Sequence, residues 1–442
     1  MAVYRAPKEW TECVASLAGA LDGRSRWRLL LLMLGALFAG GRRTVTTWLR
    51  AATLQRDDRD FYHFLQTVGR RWREVGDRVL ALVVRHAVRS SRVLLVIDDS
   101  PTKRYGPKVE GAGIHHDPTP GPTGNEFCYG HVWVTLAVCV RHLRWGAIGL
   151  PIWSWLYVRR QDVSKLPSKY GWSFQTKLVQ AVDLARRAAR VLHAARKSVW
   201  IVTDGGFTKR PFVRPLMAAG ITLVGRLRKD SALRDLPPVV KSRGRGRPRV
   251  YGVNRISLAK RAAHRGGWSE VTCSVYGVEV VKRVKTFLAT HATFGGVIRV
   301  VIVKEQTGPQ FFDCTDPDAD VREILEAFAD RSTIEQVFHD VKEIWGSGQQ
   351  QVRNLWTNIG VWHLNLWLFT LTELWAWHQT GQQLTHRSDS PWDTPARRPS
   401  HADRRKALQT QCLLNDFSHA SHNATLPKKI RSLLQRLLRL AV

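Results

Sequence analysis

Two short apolar runs, each followed directly by aspartate, constrain the fold of this chain more than any other feature. Residues 93–97 read Val-Leu-Leu-Val-Ile and precede Asp98 and Asp99, and residues 199–203 read Val-Trp-Ile-Val-Thr and precede Asp204. Continuous apolar runs of this length are typical of strands that are buried on both faces of a parallel sheet. The ends of neighbouring parallel strands lie side by side, so the sequence predicts that these acids meet at one edge of an α/β sheet.

The order of elements around these runs predicts the topology of the core. After the first run come strand candidates near residues 129–140 and 145–158, a long helical stretch at 174–196, and then the second run. Three strands, a helix and a strand are the opening order of a ribonuclease H-like core. One further strand is expected at residues 221–225. The sequence therefore predicts an α/β protein with a ribonuclease H-like catalytic core.

The charge of the chain indicates a polyanionic partner. Lys and Arg number 68 against 36 Asp and Glu, which gives a formal net charge of +32. A field of this size attracts nucleic acid before any specific contact forms, so double-stranded DNA is the expected partner. The six cysteines are scattered without a C-x-x-C pair, as is typical of reduced thiols in the cytoplasm. We therefore expect a cytoplasmic, nucleoid-associated protein that binds DNA.

An apolar stretch at residues 361–377 requires a choice between a membrane span and a core helix. It is interrupted by His363, Asn365 and Glu373. These polar groups would be costly in lipid but can be satisfied inside a protein. We therefore expect a buried core helix and no membrane span.

Changes of pattern divide the chain into five predicted parts. Apolar residues at three- and four-residue spacing before residue 90 predict an all-α domain, and strand candidates at 269–281, 283–291 and 297–304 predict a β-rich insertion. Asp-Pro-Asp at 316–318 predicts the start of one long helix over residues 321–345. The predicted parts are a helical N-terminal DNA-binding domain at 1–90, the first part of the core at 91–226, the insertion at 227–314, the second part of the core at 315–380 and a basic C-terminal tail at 381–442.

The predicted long helix contains the most specific motif of the chain. Residues 328–342 read Phe-Ala-Asp-Arg-Ser-Thr-Ile-Glu-Gln-Val-Phe-His-Asp-Val-Lys. This segment resembles the Y-x2-R-x3-E-x6-K signature of one large branch of the DDE-type transposases of bacterial insertion sequences. Arg331, Glu335 and Lys342 fall on signature positions, and Phe328 stands where that branch has tyrosine.

The spacing of the charged residues in this motif has a simple helical interpretation. Arg331, Glu335, His339 and Lys342 lie at i, i+4, i+8 and i+11, so in one continuous helix they would share a face. An exposed helix with charge pairs alone would give the same spacing. The aspartates that follow the two apolar runs, in the right order upstream, favour a catalytic role for Glu335.

Three acids that converge from separate elements suit metal-dependent cleavage of a phosphodiester. Two divalent ions about 4 Å apart stabilise charge on the attacking and leaving oxygens, and Mg²⁺ needs only a few carboxylates besides water and phosphate oxygens. We predict Asp98, Asp204 and Glu335 as catalytic metal ligands for two Mg²⁺ ions, for which Mn²⁺ can substitute. The resemblance implies hydrolysis that frees a 3′ hydroxyl, cut-and-paste strand transfer, phosphate contacts by Arg331 and Lys342, and a homodimer on DNA.

Alternatives stay open for the first acid, for DNA binding and for function. Asp98 and Asp99 point to opposite sides of an extended strand, so we prefer Asp98 as the ligand and keep Asp99 as the alternative. Arg245 and Arg247 lie in an Arg-Gly-Arg-Pro segment similar to the core of an AT-hook, and they and His339 are predicted DNA contacts. A related nuclease would use the same acids, and a catalytically silent DNA-binding protein derived from a transposase would keep only the basic surface.

Overall fold

One mixed sheet runs through the protein. The computed structural model describes residues 4–54, 58–117, 124–238, 249–385, 392–394 and 397–420. The strand order is β2-β3-β1-β5-β6-β12-β11-β10-β7-β8, with β4 paired to β3 and β9 paired to β10. The predicted α/β class is confirmed. The strands are β1 (Arg92–Lys103), β2 (Gly113–His116), β3 (Phe127–His142), β4 (Gly146–Tyr157), β5 (Ser198–Val202), β6 (Ile221–Arg226), β7 (Leu233–Arg234), β8 (Arg255–Ile256), β9 (Ser269–Val275), β10 (Val278–His291), β11 (Gly296–Glu305) and β12 (Gly308–Cys314).

The strand β1 is central because both of its faces are covered by apolar side chains. Val93, Leu95 and Ile97 belong to the larger of two hydrophobic cores, and Val96 belongs to the smaller one on the opposite face. On one side β1 pairs with antiparallel β3, and on the other with parallel β5, which in turn pairs with parallel β6. The two apolar runs therefore form adjacent parallel strands, as the sequence predicts.

The strands of the region 227–314 extend this sheet. Antiparallel pairing joins β12 to β6, with Asp313 opposite Gly225, and β11 and β10 follow in order. The turn between β9 and β10 lies at Tyr276 and Gly277, whose φ values are 52° and 82°. Two successive residues in the left-handed region make a tight hairpin. The prediction of one strand over residues 269–281 is therefore wrong, because the chain reverses inside it.

Helices cover both faces of the sheet. Helices α10 and α11 contribute Ile324, Ile334 and Phe338 to the smaller core, while the N-terminal helices, α7 and α12 contribute to the larger one. The division of the chain into five parts stays a prediction. The helices are α1 (Lys8–Ala18), α2 (Trp27–Phe38), α3 (Val45–Ala51), α4 (Asp58–Arg70), α5 (Trp72–His86), α6 (Arg160–Val163), α7 (Lys177–Ala194), α8 (Arg210–Met217), α9 (Leu258–Ala263), α10 (Val321–Asp330), α11 (Thr333–Glu343), α12 (Leu355–Ala376), α13 (Gly381–Leu384) and α14 (His401–Ala420), with a short 3-10 helix at Ser168–Tyr170.

Helix α12 is buried along nearly its whole length, which confirms the prediction of a core helix. It crosses α4 at a point where Gly69 and Gly360 let the two backbones touch. A Cβ atom at Gly360 would lie 2.1 Å from the carbonyl oxygen of Leu65, which is closer than any real contact. Across the described residues, no helix is long and apolar enough to span a membrane.

Candidate active site

Asp98 lies inside β1 and not after its end. The strand continues to Lys103 because its antiparallel pairing with β3 also continues to that residue. Its parallel pairing with β5 stops earlier, at Val96 and Val202. The expectation that Asp98 and Asp99 directly follow the strand is therefore wrong, since β3 still supplies hydrogen-bond partners after β5 has ended. Asp98 nevertheless lies where the β5 side of the sheet has opened.

The two neighbouring aspartates leave β1 on opposite faces. Asp98 Oδ2 lies 3.2 Å from Arg331 Nη1, at the junction that precedes α11. Asp99 Oδ2 lies 2.8 Å from Lys177 Nζ, at the start of α7. The alternation of side chains along an extended strand produces this separation. The structure thus groups Asp98, and not Asp99, with the charged residues of the motif.

Asp204 follows β5 by two residues and lies in a tight turn. Its Oδ1 accepts hydrogen bonds from the backbone N–H groups of Gly206 at 3.0 Å and Phe207 at 3.3 Å. Such a local turn is a common role for aspartate. Burial, and next the negative charge of Asp204, raise the pKa of Asp98 to about 7. The two acids are therefore near enough for their charges to repel each other appreciably.

The predicted helix over residues 321–345 is two helices, α10 and α11, joined at Arg331 and Ser332. At the junction the backbone N–H groups of Arg331 and Ser332 donate to carbonyl oxygens three residues earlier. The hydroxyls of Ser332 and Thr333 also donate to carbonyl oxygens three residues earlier, at 2.9 and 2.7 Å. These side-chain bonds compete with the regular helical ladder. The prediction that one continuous helix carries all the charged residues of the motif is therefore wrong.

Arg331 connects two of the predicted catalytic acids. Its Nη1 lies 3.2 Å from Asp98 Oδ2, and its Nη2 lies 2.6 Å from Glu335 Oε1. The side chain of Glu335 is 58% exposed, whereas those of Arg331 and Asp98 are 20% and 19% exposed. The Glu335 carboxylate is therefore held at the solvent side of the site, with the guanidinium between it and Asp98.

Lys342 approaches the same strand from the last turn of α11. Its Nζ donates to Ser100 Oγ at 2.6 Å, and burial lowers its pKa. Ser100 is two residues beyond Asp98 and so lies on the same face of β1. His339 turns away, because its ring is 65% exposed and its Nδ1 lies 3.0 Å from Asp340 Oδ1. The structure brings Lys342 to the strand of Asp98 and leaves His339 outside this group.

Phe328 is partly buried against the smaller hydrophobic core. Phe328, where the resembling branch has tyrosine, packs on Phe312 with ring centroids 4.7 Å apart. Arg245 and Arg247 lie outside the described residues. Sequence reasoning missed Ser100, although its position two residues after Asp98 in a strand was a usable signal. It also missed Lys177 as the partner of Asp99, for which the sequence carries no local signal.

The oxygen donors of this site suit a hard divalent cation in part. Asp98 and Asp204 are two carboxylates from separate elements whose mutual repulsion a cation would relieve. Within the part of the chain that the structure describes, no group of three or more His, Cys, Asp or Glu side chains is arranged to hold a metal ion. Glu335 is instead bound to Arg331. The pair of aspartates therefore fits a metal ion, and Glu335 could join them after its side chain leaves Arg331.

The chain belongs to the DDE superfamily endonucleases, because residues 17–287 match the model of that family. The matched segment contains Asp98 and Asp204 and ends before Arg331, Glu335 and Lys342. A search of the curated proteins finds no match. The predicted likeness to DDE-type transposases is thereby confirmed. Membership implies a nuclease with DNA as its substrate, in a superfamily that generally uses divalent metals. Assignment of the chain to the branch with the Y-R-E-K signature stays a prediction.

Proposed function

We propose that this protein is a DNA transposase that cuts at the ends of its element and joins the freed 3′ hydroxyl to target DNA in a cut-and-paste reaction. Asp98, Asp204 and Glu335 form its DDE triad and hold two Mg²⁺ ions, for which Mn²⁺ can substitute. The catalytic core is ribonuclease H-like and follows a helical N-terminal DNA-binding domain. The protein acts as a homodimer on double-stranded DNA in the bacterial cytoplasm, at the nucleoid.

The approach of Asp98 to Asp204 is the observation that carries the proposal. These acids come from adjacent parallel strands, and burial together with the charge of Asp204 raises the pKa of Asp98 to about 7. A protein gains no stability from two carboxylates that repel each other, and an acid whose pKa is raised as far as that of Asp98 is typical of functional sites. Both acids lie within the segment that matches the endonuclease family. A role in metal-dependent cleavage explains why they are together.

The chain supplies aligned ligands for this chemistry. Divalent ions bound at the acids would polarise the scissile phosphate and activate the attacking oxygen. Asp98 Oδ1 accepts a hydrogen bond from the backbone N–H of Asp99 at 2.8 Å, and Asp204 accepts two from its own turn. Both carboxylates are therefore oriented before DNA arrives, so these two ligands need little reorganisation.

Arg331 and Lys342 have the chemistry to bind the DNA backbone beside the triad. A guanidinium can bind phosphate with two parallel hydrogen bonds. When Arg331 exchanges its two carboxylate partners for a DNA phosphate, the exposed Glu335 becomes free to complete the triad. Lys342 rests on the hydroxyl of Ser100 and brings a point charge to the same face of β1. The exposed His339 is proposed as a further DNA contact at the rim.

A cleavage assay on plasmid DNA that carries the gene with both flanks tests this proposal. Wild type is compared with Asp204→Asn and Glu335→Gln in Mg²⁺ or Mn²⁺. We expect metal-dependent cuts at the borders of the element, and each variant should be slower by on the order of 10³-fold or more, because removal of one member of a catalytic unit costs nearly the whole effect. Glu343→Gln is the matched control, since Glu343 is an exposed residue at the end of α11, outside this cluster.

Each other result of this assay has a distinct meaning. Equal cutting by wild type and by both variants would exclude the assigned acids. Tight binding of the flanks without any cutting would favour a catalytically silent DNA-binding protein. Cutting that ignores the borders of the element, yet needs the same acids, would favour a related nuclease.

A further inference from the structure

The segment that follows α11, residues 346–350, is anchored by polar contacts. Gly346 and Gly348 have φ values of 67° and 101°, which glycine adopts without strain. The buried amide group of Gln350 donates from Nε2 to the carbonyl oxygens of Arg43, at 3.1 Å, and Gly346, at 3.0 Å. Its Oε1 accepts from the backbone N–H of Gly348 at 3.1 Å. A single glutamine side chain thus fixes the shape of the segment and ties it to Arg43.

A basic turn at residues 40–44 brings the N-terminal helices to this segment. Gln349 Oε1 accepts a hydrogen bond from the backbone N–H of Arg43 at 2.8 Å, so both glutamines hold the backbone of that residue. The fit is tight, because a Cβ atom at Gly346 would lie 2.8 Å from the Cβ atom of Arg43. Arg42, the preceding residue, is exposed. The turn is therefore fixed on its inner side, and both Nη atoms of the exposed Arg42 lie 3.3 Å from the side-chain amide of Gln351.

Arg104 holds the same segment from the side of β1. It follows the strand directly and is only 5% exposed. Its Nη1 donates to the carbonyl oxygens of Gly348 and Gln350, both at 3.0 Å, and its Nε donates to His131 Nδ1 at 3.1 Å. Burial lowers the pKa of Arg104 to about 10. These partners are uncharged, so only hydrogen bonds offset the cost of burying the Arg104 cation. A cation buried in this way indicates that the position of the segment matters.

The segment therefore joins three parts that the proposed reaction needs. It leaves the end of α11, which carries Glu335 in its first turn and Lys342 in its last. It touches the continuation of β1, the strand of Asp98, and it touches the basic turn. Helix α11 spans 11 residues, or about 16 Å, and behaves as a stiff rod over that length. A shift of the segment would consequently move Glu335 relative to Asp98.

We propose that Gln349 and Gln350 are positioning residues. They couple the binding of a DNA phosphate by the basic turn to the position of Glu335 relative to Asp98. This inference rests on the proposed function. The phosphate binds the exposed guanidinium of Arg42, and the two glutamines transmit the resulting position of the turn to the end of α11. Neither glutamine touches DNA or metal. Their loss uncouples binding from catalysis without removing either site.

Hydrogen–deuterium exchange tests this coupling without requiring cleavage. The probe is a duplex from the flank of the gene, added without metal to wild type, Gln349→Ala and Gln411→Ala. Gln349 is half-buried with one side-chain bond, so its variant should fold, and Gln411 is an exposed glutamine of α14 that bonds only to Asn415. In wild type and Gln411→Ala, DNA should slow exchange in both the basic turn and residues 333–350. In Gln349→Ala the turn should stay protected, while residues 333–350 should exchange about fivefold faster in the complex, as expected for loss of one hydrogen bond.

A kinetic comparison separates positioning from a merely structural role. In Gln349→Ala the rate of cleavage of bound DNA should fall about fivefold, because the lost hydrogen bond joins the basic turn to the segment that places Glu335. The Kd for DNA should change less than about twofold, because Arg42 is unchanged and Gln350 still holds the turn. The coupling would be overturned if DNA protected residues 333–350 equally in Gln349→Ala and in Gln411→Ala. It would also be overturned if DNA did not protect the basic turn in wild type. If wild type shows the coupled protection but never cuts DNA, the proposed function fails and the coupling stands.

Discussion

Replacement of Asp98 by asparagine should stabilise the metal-free protein at pH 8, although it removes a proposed metal ligand. Burial and the charge of Asp204 raise the pKa of Asp98 from 3.8 to about 7. A raised pKa means that the folded state disfavours the ionised carboxylate, so Asp98 lowers the free energy of unfolding above pH 7. A shift of about three units corresponds to about 4 kcal/mol. This is an upper limit, because asparagine also gives up a charge-assisted contact with Arg331, 3.2 Å away.

Urea unfolding followed by tryptophan fluorescence in EDTA measures this effect. We expect a gain of about 1 to 4 kcal/mol at pH 8, which shrinks as the pH falls from 7 towards 4, because Asp98 of the folded wild type is then protonated. Excess Mg²⁺ should stabilise wild type more than the variant, since only wild type keeps both carboxylates.

Asp99→Asn is the matched control, with the same substitution at the next residue. Asp99 is paired with Lys177 at 2.8 Å, with both side chains partly exposed, so its loss should lower stability by up to about 1 kcal/mol. Opposite signs for the two variants are the expected outcome. A clear loss of stability for Asp98→Asn in EDTA at pH 8 would refute the argument that Asp98 is held against Asp204 at an energetic cost.

Two further predictions concern the scaffold, and both can be measured by urea unfolding. Glu373→Gln should destabilise the protein by about 3 to 5 kcal/mol at pH 7, because it leaves the buried Arg404 without its counter-charge. In wild type Arg404 Nη1 lies 2.6 Å from the carboxylate of Glu373. The control Glu12→Gln, at an exposed ion pair, should change stability by less than about 1 kcal/mol. Burial alone would raise the pKa of Glu373, but Arg404 lowers it to about 2. The stabilisation by this ion pair is therefore present above the ordinary pKa of 4.5 and is lost as the pH falls from 4.5 to 2. If wild type were still more stable than Glu373→Gln at pH 2, the ion pair would not be the cause. Gly360→Ala should cost about 1 to 3 kcal/mol or more, because an added methyl group overpacks the contact between α4 and α12. The control Gly381→Ala should be nearly neutral, because nothing lies within 4 Å of a Cβ atom added there. Equal losses of stability in Gly360→Ala and Gly381→Ala would show that the close crossing is absent.

The core of the fold could be predicted because its signals are local. Two continuous apolar runs predict buried strands, and their aspartates predict an edge where acids meet. The end of β1 could not be predicted, because it depends on β3, which reaches as far as Lys103. The break between α10 and α11 depends on hydroxyl groups at Ser332 and Thr333 that bond back to the helix, and such bonds are optional in any sequence.

The sequence supplied the candidate residues of the site, whereas their contacts come from the structure. Asp98, Asp204 and Glu335 are candidates from sequence that stay a prediction, and the approach of the first two follows from the pairing of neighbouring parallel strands. The contact between Arg331 and Asp98 joins residues 233 positions apart and depends on how α11 packs on the sheet. Sequence patterns fix the type of an element, whereas this contact is a property of tertiary packing.

The close crossing of α4 and α12 has a consequence for synthesis of the chain. Gly69 and Gly360 are 291 positions apart, so the ribosome must add that many residues before α4 can meet the helix that it crosses. At about 5 to 20 residues per second this delay is about 15 to 60 s. During that time the apolar faces of the early helices lack α12, and a nascent chain that stops before α12 never acquires it. The order of translation thus makes the packing of the N-terminal helices depend on a helix that is synthesised much later.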